Sequence, residues 1–292
     1  MKRFCYNIFI LFIIILLFNG ILFLFGIRQY YIEYEKRPAK NFGAFIFADS
    51  HGLPISDFSE KYNVFNFSAG SDSYFDMKRK ISYLLENGYN VDTIFITVDD
   101  HTLSPYREIL NNLDRSAIYY SLPIEYENQY EFLKEKYLRY YLPIFQPKIS
   151  SLFKSYLEAK LEVIYQPNNK SLNDKVWSDF TEDDRIKSAE GRIKLQFPSD
   201  NKSEKLERTL LEIIHLCQTN EIKLIGIKFP LSSSYLKVLD SRNYGADELL
   251  TSKGLNVKDN KEIFKENPEY FFNTDHLNSK GGEIFTKMLL SR

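Results

Sequence analysis

The chain is poor in the residues that build cross-links and metal sites, with 2 cysteines and 4 histidines in 292 residues. Cys5 lies inside an apolar run, out of easy reach of Cys217, so no disulfide is expected. The histidines, at 51, 101, 215 and 276, show no metal-ligand spacing, and no metal site is expected. No glycine-rich phosphate loop and no internal repeat occur, and no cofactor is expected. An excess of one charge is missing too. The 38 Lys plus Arg against 39 Asp plus Glu leave a net charge of -1 and no electrostatic reason to bind nucleic acid. The 44% hydrophobic and 26% charged fractions exclude disorder and fit one larger domain or two small ones.

Long apolar runs are absent after the first. Residues 4–27, FCYNIFILFIIILLFNGILFLFGI, hold no ionisable acid or base between Arg3 and Arg28. At about 1.5 Å of rise per residue such a run crosses a hydrocarbon core of roughly 30 Å. A cleaved signal peptide has an apolar core of about 7 to 15 residues and a small-x-small site. This run has neither, so residues 1–40 are expected to be an uncleaved single-pass membrane anchor with its juxtamembrane segment. Lys2 and Arg3 on one flank balance Arg28, Lys36, Arg37 and Lys40 on the other, so charge does not set the orientation. Tyr30, Tyr31 and Tyr34 suit an interfacial belt on the far side.

From residue 41 short apolar strands alternate with amphipathic helices. GAFIFA (43–48), NVFNF (63–67), TIFITV (93–98) and KLIGIKF (223–229) have strand length and composition. Helices are expected at 75–87 and from Ser203 to about Asn220, each with its apolar residues on one face. A last extended piece, EYFFN, leads to Asp275 and His276, and Asn278 opens a final helix. This alternation predicts an α/β fold with a mostly parallel sheet covered on both faces, in which ligands bind outside the carboxyl ends of the strands.

Those ends carry Ser50, Gly70, the run Asp99-Asp100-His101, and, after the last extended piece, His276. A strand-end serine, a histidine on another loop of the same edge and a bare glycine amide are the parts of acyl transfer through a serine ester. Serine needs them because its hydroxyl is a weak nucleophile until a base takes its proton. Each feature alone has a commoner structural use, as a turn, a cap or a packed imidazole. Their common edge gives them weight. Asp99-Asp100-His101 has cation-binding groups but reads equally as a solvated strand-end loop. His51 is set aside as a base because neighbours leaving a strand usually diverge.

FADSHG (47–52), NFSAG (66–70) and FFNTDHLNSKGG (271–282) resemble the first, second and last blocks of the SGNH/GDSL hydrolase superfamily. The nearest likeness is to membrane-anchored bacterial envelope proteins of the kind that O-acetylate alginate or transfer D-alanine to teichoic acid. The resemblance covers roughly 41–102 and 203–292. It implies a flavodoxin-like three-layer α/β/α fold with Ser50 as nucleophile, His276 as base, and the amides of Ser50 and Gly70 in the oxyanion hole.

Two positions depart from the family pattern. Its last block reads Asp-x-x-His, but Asn273 stands three residues before His276 and the nearest acid is the adjacent Asp275. An acid holds the imidazole in its useful tautomer and stabilises the imidazolium, and in a serine protease its change to Asn lowers the rate by about 10⁴. Asn273 is therefore expected to orient poorly. Either Asp275 replaces it through a bend in the loop, or a backbone carbonyl holds the ring and leaves a Ser-His dyad. In TVDDH, the family's third-block asparagine donor is absent. His101 is the candidate donor to the oxyanion there, whereas Asp100 as an anion would repel it and is carried as a substrate-contacting residue. One oxyanion donor is worth roughly 10² to 10³ in rate.

Residues 103–202 lie outside these blocks and are expected to form a helical insertion or cap, with helices near 126–140, 147–160 and 180–194 and a polar stretch at Gln166 to Asn173. Trp177, Arg185 and Arg192 have the chemistry to stack on and hydrogen-bond sugars, and packing of the insertion onto the core is the commoner use of such aromatics. Two functions stay open. One is an anchored extracytoplasmic esterase or O-acyl (acetyl) transferase acting on a surface glycan ester. The other is a catalytically inactive SGNH-like module that binds glycan or assembles with a membrane-bound acyltransferase. A His276 more than about 5 Å from Ser50 would favour the second.

Overall fold

The computed structural model describes residues 2–24, 28–119, 128–142, 154 and 177–291. The chain divides into two compact units, Met1–Arg37 with Asp114–Leu172 and Pro38–Leu113 with Asn173–Arg292, so the 103–202 segment is shared between them.

In the first unit α1 (Lys2–Leu22) has a mean hydropathy of 2.5 and is long and apolar enough to span a membrane. Its side chains are largely exposed, and Asn19 is buried. The next helix, α2 (Arg28–Glu35), buries Tyr31 and Tyr34 completely. The Arg115 guanidinium lies 4.8 Å from the Tyr30 ring centre and 4.7 Å from that of Tyr34, and the Tyr30 hydroxyl donates to Asp114 at 2.7 Å. These tyrosines therefore pack on the 114–119 segment instead of forming an interfacial belt, because that segment supplies both a cation for the ring faces and an acceptor for a hydroxyl. The helix expected at 126–140 runs over 129–141, as Gln129–Leu133, a π-helical turn at Lys134–Leu138, and Arg139–Tyr141. The helix expected at 147–160 and the polar stretch at 166–173 lie outside the described residues, apart from Lys154.

The second unit is an α/β sandwich. Five strands, β1 (Ala44–Phe47), β2 (Val64–Asn66), β3 (Thr93–Thr97), β4 (Lys223–Lys228) and β5 (Asn256–Asp259), form an all-parallel sheet in the order β2-β1-β3-β4-β5. Ala44 pairs with Val64 and Thr93, Thr93 with Lys223, and Ile225 with Asn256. This 2-1-3-4-5 order is one of the common doubly wound orders, with its switch point between β1 and β3. The helices around the sheet are α3 (Tyr74–Glu86), α4 (Glu182–Gln196), α5 (Glu204–Thr219), α6 (Ser233–Leu239), α7 (Ala246–Ser252) and α8 (Ser279–Leu290). Their starts follow from capping: a Ser73–Asp76 capping box for α3, Thr181 for α4, Ser203 for α5 and Asn278 for α8 each satisfy an otherwise orphaned amide.

Strand alternation sends Ile46, Phe95, Ile225 and Ile227 to one core with Phe285 and Leu289 of α8. Phe45 and Phe47 belong to the other face, where they meet Phe65, Phe67 and Tyr89, and Lys80 of α3 reaches the Phe67 carbonyl at 2.7 Å. Each fully buried side chain of this size is worth about 1.5–3 kcal/mol. The expected extended piece EYFFN is instead a 3₁₀ turn at Pro268–Tyr270 followed by an isolated antiparallel bridge between Phe271 and Leu277. Pro268, with its fixed φ and missing N–H, starts the turn and closes the way to a strand. β5 gave no apolar signal because it is a largely exposed edge strand, NVKD.

Candidate active site

Ser50 follows β1 at the start of a 3₁₀ helix, Ser50–Ile55, whose N-cap Asp49 accepts from the His51 amide at 3.0 Å. The turn is pressed against the end of β2: a side-chain carbon on Gly52 would lie 2.3 Å from Ser68 Oγ, so only glycine fits there. From the other side α8 closes onto it, and a Cβ at Gly282 would lie 2.1 Å from the Pro54 carbonyl oxygen. This close fit brings the loop before α8, and His276 with it, to Ser50.

His276 Nε2 lies 2.7 Å from Ser50 Oγ. Its Nδ1 lies 2.9 Å from Asn273 Oδ1 and 3.0 Å from Asp275 Oδ1, and the hydrogen-bond direction favours Asn273. Asn273 Oδ1 also accepts from the amides of Asp275, at 3.2 Å, and His276, at 3.0 Å. The asparagine thus holds the ring through a local side-chain turn, where it was expected to orient it poorly, and among the described residues no backbone carbonyl takes that role. Asp275 adds the charge. With Nδ1–H directed at these acceptors, Nε2 is free to accept the serine proton.

Behind Asp275 lies a layer that the sequence did not reveal. The other carboxylate oxygen, Oδ2, takes Arg192 Nε at 2.6 Å, Gln196 Nε2 at 3.2 Å and His51 Nε2 at 3.4 Å. His51 Nδ1 in turn lies 2.7 Å from Asp99 Oδ2, and the Phe229 amide donates to Asp99 Oδ1 at 2.7 Å. Ser50, His276, Asp275, His51 and Asp99 therefore form one chain of polar contacts running from the partly exposed serine into the core. Burial pushes the Asp275 carboxyl up, but its contacts with His276 and His51 outweigh this and hold it well below the usual carboxylate range. Burial likewise disfavours charge on His51, yet Asp49, Asp99 and Asp275 win and raise its imidazole well above the ordinary histidine value. Both ring nitrogens of His51 thus face carboxylate oxygens.

Several expected residues lie elsewhere. Asp99, Asp100 and His101 are all buried, not a solvated loop. Asp100 is bound by Lys228 at 2.5 Å and Lys261 at 2.9 Å, so it braces β4 and its following turn and is taken up before any substrate. His101 faces Asp49 across 3.4 Å beside the His51 ring, and burial lowers its affinity for a proton; this inward position does not fit an oxyanion donor. Trp177 is buried in the α8-side core near Phe180 and serves packing. Arg192, on α4, is spent on Asp275. Gly70 stays open, since a side-chain carbon there would meet nothing nearer than Leu53 at 4.0 Å.

Two sets of ligand atoms, His51-Asp275-His276 and Asp49-His51-Asp99, are each close enough together to hold a metal ion. Arg192 on Asp275 and Arg107, 3.4 Å from Asp49, already supply cations to both, so the groups balance one another as ion pairs. A groove of about 670 Å³ lined by Gly43, Asp92, Lys223 and Asn256 opens at the amino ends of the strands, the edge opposite Ser50. No described protein family, curated protein or solved structure matches the chain.

Proposed function

We propose that this protein is a membrane-anchored, SGNH-like serine esterase or O-acyltransferase that removes or transfers an ester-linked acyl group, acetyl being the favoured one, on a surface glycan. The single observation that carries the reading is the 2.7 Å contact between Ser50 Oγ and a His276 whose other ring nitrogen is held by Asn273 and Asp275. The inactive binding or assembly module called for a histidine beyond about 5 Å. Resemblance of the strand-end blocks supplies the reaction class, and a surface-glycan substrate calls for an α/β unit on the extracytoplasmic side.

In this reaction Ser50 Oγ attacks the ester carbonyl while its proton passes to His276 Nε2. The amides of Ser50 and Gly70 hold the oxyanion. Collapse of the tetrahedral intermediate breaks the C–O bond to the sugar, whose oxygen takes the proton back from His276. Water or a second sugar hydroxyl then gives its proton to His276 and attacks the acyl-serine, and collapse breaks the acyl–Oγ bond while His276 returns the proton to Ser50; the first route is hydrolysis, the second transfer. A membrane-bound acyltransferase is the proposed partner for the transfer route.

The test is labelling of the detergent-solubilised protein by a fluorophosphonate serine probe. Wild type should react, and Ser50→Ala and His276→Ala should each lose the label. A folded wild type that takes no label, or a Ser50→Ala protein that still does, would sink the proposal.

A further inference from the structure

The tyrosines next to the anchor, Tyr31 and Tyr34, are buried in protein, yet another part of the same unit presents an aromatic stripe. On the helical segment over 129–141, Tyr130 is 60% exposed, Leu133 42%, Tyr137 45% and Tyr141 62%. Their spacing of three, four and four residues sets them along one side of a helix. Water is a poor solvent for such a row, and a run of exposed aromatics of this kind marks a contact surface.

The same segment is tied to α1. Asn19, buried on an otherwise exposed apolar helix, donates from its side-chain amide to the Tyr141 carbonyl at 3.2 Å. An amide within a span needs such a partner, because lipid offers none. Asn19 stands three residues before the end of α1, so the bond draws the carboxyl end of the 129–141 segment to the anchor's terminal turn. The carboxyl end of the stripe-bearing segment therefore lies beside the last turn of α1. The charges of the segment are arranged for the same setting: Glu131 pairs with Lys134 and Glu135 with Arg139 along the helix, and the Lys136 ammonium lies 5.4 Å from the Phe132 ring centre. No carboxylate of the segment faces lipid alone, and the long basic side chains can carry their charge toward headgroups.

We propose that the 129–141 segment lies in the membrane interface, with Tyr130, Leu133, Tyr137 and Tyr141 seated in the lipid boundary beside the anchor. The inference rests on the reading of α1 as a membrane span. Tyrosine suits that depth, since its ring is apolar and its hydroxyl remains within reach of headgroups and water. The stripe gives the protein a second, non-spanning contact with the bilayer, of the kind that fixes the tilt and rotation of a single span.

The test uses the full chain with Cys5→Ser, reconstituted in phosphatidylcholine–phosphatidylglycerol vesicles, with nitroxide labels at Leu133→Cys, Tyr137→Cys and, as the anchor reference, Phe12→Cys. Cys217 is buried and stays unlabelled. The expected result is that 133 and 137, like 12, collide with oxygen more than with a water-soluble nickel chelate. Nickel access at 133 and 137 with lipid-type access at 12 would overturn the interface proposal and leave the span intact. Exclusion of both reagents at 133 and 137 would also overturn it, because protein would then cover the stripe. Nickel access at all three would remove the span reading and this proposal together. Thermal melts matching the parent show that each labelled chain is folded.

Discussion

His276 and His51 press on the same carboxylate, that of Asp275, but their second nitrogens differ: His276 keeps Nε2 on the Ser50 hydroxyl, whereas His51 commits Nδ1 to Asp99. His51 is 2% exposed, while the His276 side chain is 18% exposed, within reach of substrate. Three carboxylates, of Asp49, Asp99 and Asp275, surround His51 and favour its charged form. On the proposed reading the two imidazoles on one carboxylate divide the work: the deep one holds Asp275 from behind, and the shallow one takes the serine proton.

Removing the shallow member should have the largest effect. Ser50→Ala or His276→Ala is expected to lower kcat on an aryl acetate ester by about 10⁴-fold or more, as for other serine-histidine pairs that act as a unit. Next comes Asp275→Asn. It weakens the link to both histidines at once and strands Arg192, so a rate loss near 10⁴ and a stability loss of about 3–5 kcal/mol, read by denaturant titration, are expected. A variant as stable as wild type would mean that Arg192 and His51 do not depend on that carboxylate.

The inner histidine is sharpened by pH. An unfolded histidine titrates at about 6.5. Because His51 is raised well above this in the fold, its stabilising share is complete below about pH 6.5 and is lost as pH climbs through the raised value. The melting temperature of wild type should therefore fall on the alkaline side, and His51→Gln should flatten that limb. An unchanged limb would show that His51 only fills space.

Much of this arrangement was legible before any coordinates, and what was missed has a common cause. β1 to β4 are buried runs of Phe, Ile and Val with polar residues at their ends, so composition marks them. β5 is an edge strand with little apolar surface, and EYFFN is strand-like in composition but governed by Pro268. Ser50, Gly70 and His276 stand at strand or loop ends on the ligand-binding edge and were singled out by that position. Asp99 was named at the end of β3 and Arg192 as a sugar contact, but their place in the layer behind Asp275, like that of His51 and Gln196, was not legible, because it arises from contacts 48, 79, 83 and 224 residues apart along the chain. Polar residues next to a nucleophile look like loop residues in sequence. Only folding turns His51 inward, and only the packing of α4 brings Arg192 and Gln196 to Asp275. Asn273 is the instructive case: against a family pattern it reads as a lost acid, whereas its amide oxygen suffices to fix the ring while Asp275 carries the charge.

The smallest effect separates those two contributions. Asn273→Ala removes one oxygen that accepts from Nδ1 and from two backbone amides, and leaves Asp275 within 3.0 Å of Nδ1. A neutral hydrogen bond is worth about 0.5–1.5 kcal/mol net, so a rate loss of about tenfold is expected where Asp275→Asn loses thousands. Asn273→Asp is the complementary change. It restores the acid at the spacing of the family pattern but sets a second carboxylate beside Asp275, and like charges this close resist joint ionisation. The variant should therefore gain little rate, and its stability should drop toward neutral pH, where both acids would be charged. If Asn273→Ala instead matches Asp275→Asn in rate, orientation and not charge limits the reaction, and the division of labour between the two side chains is wrong.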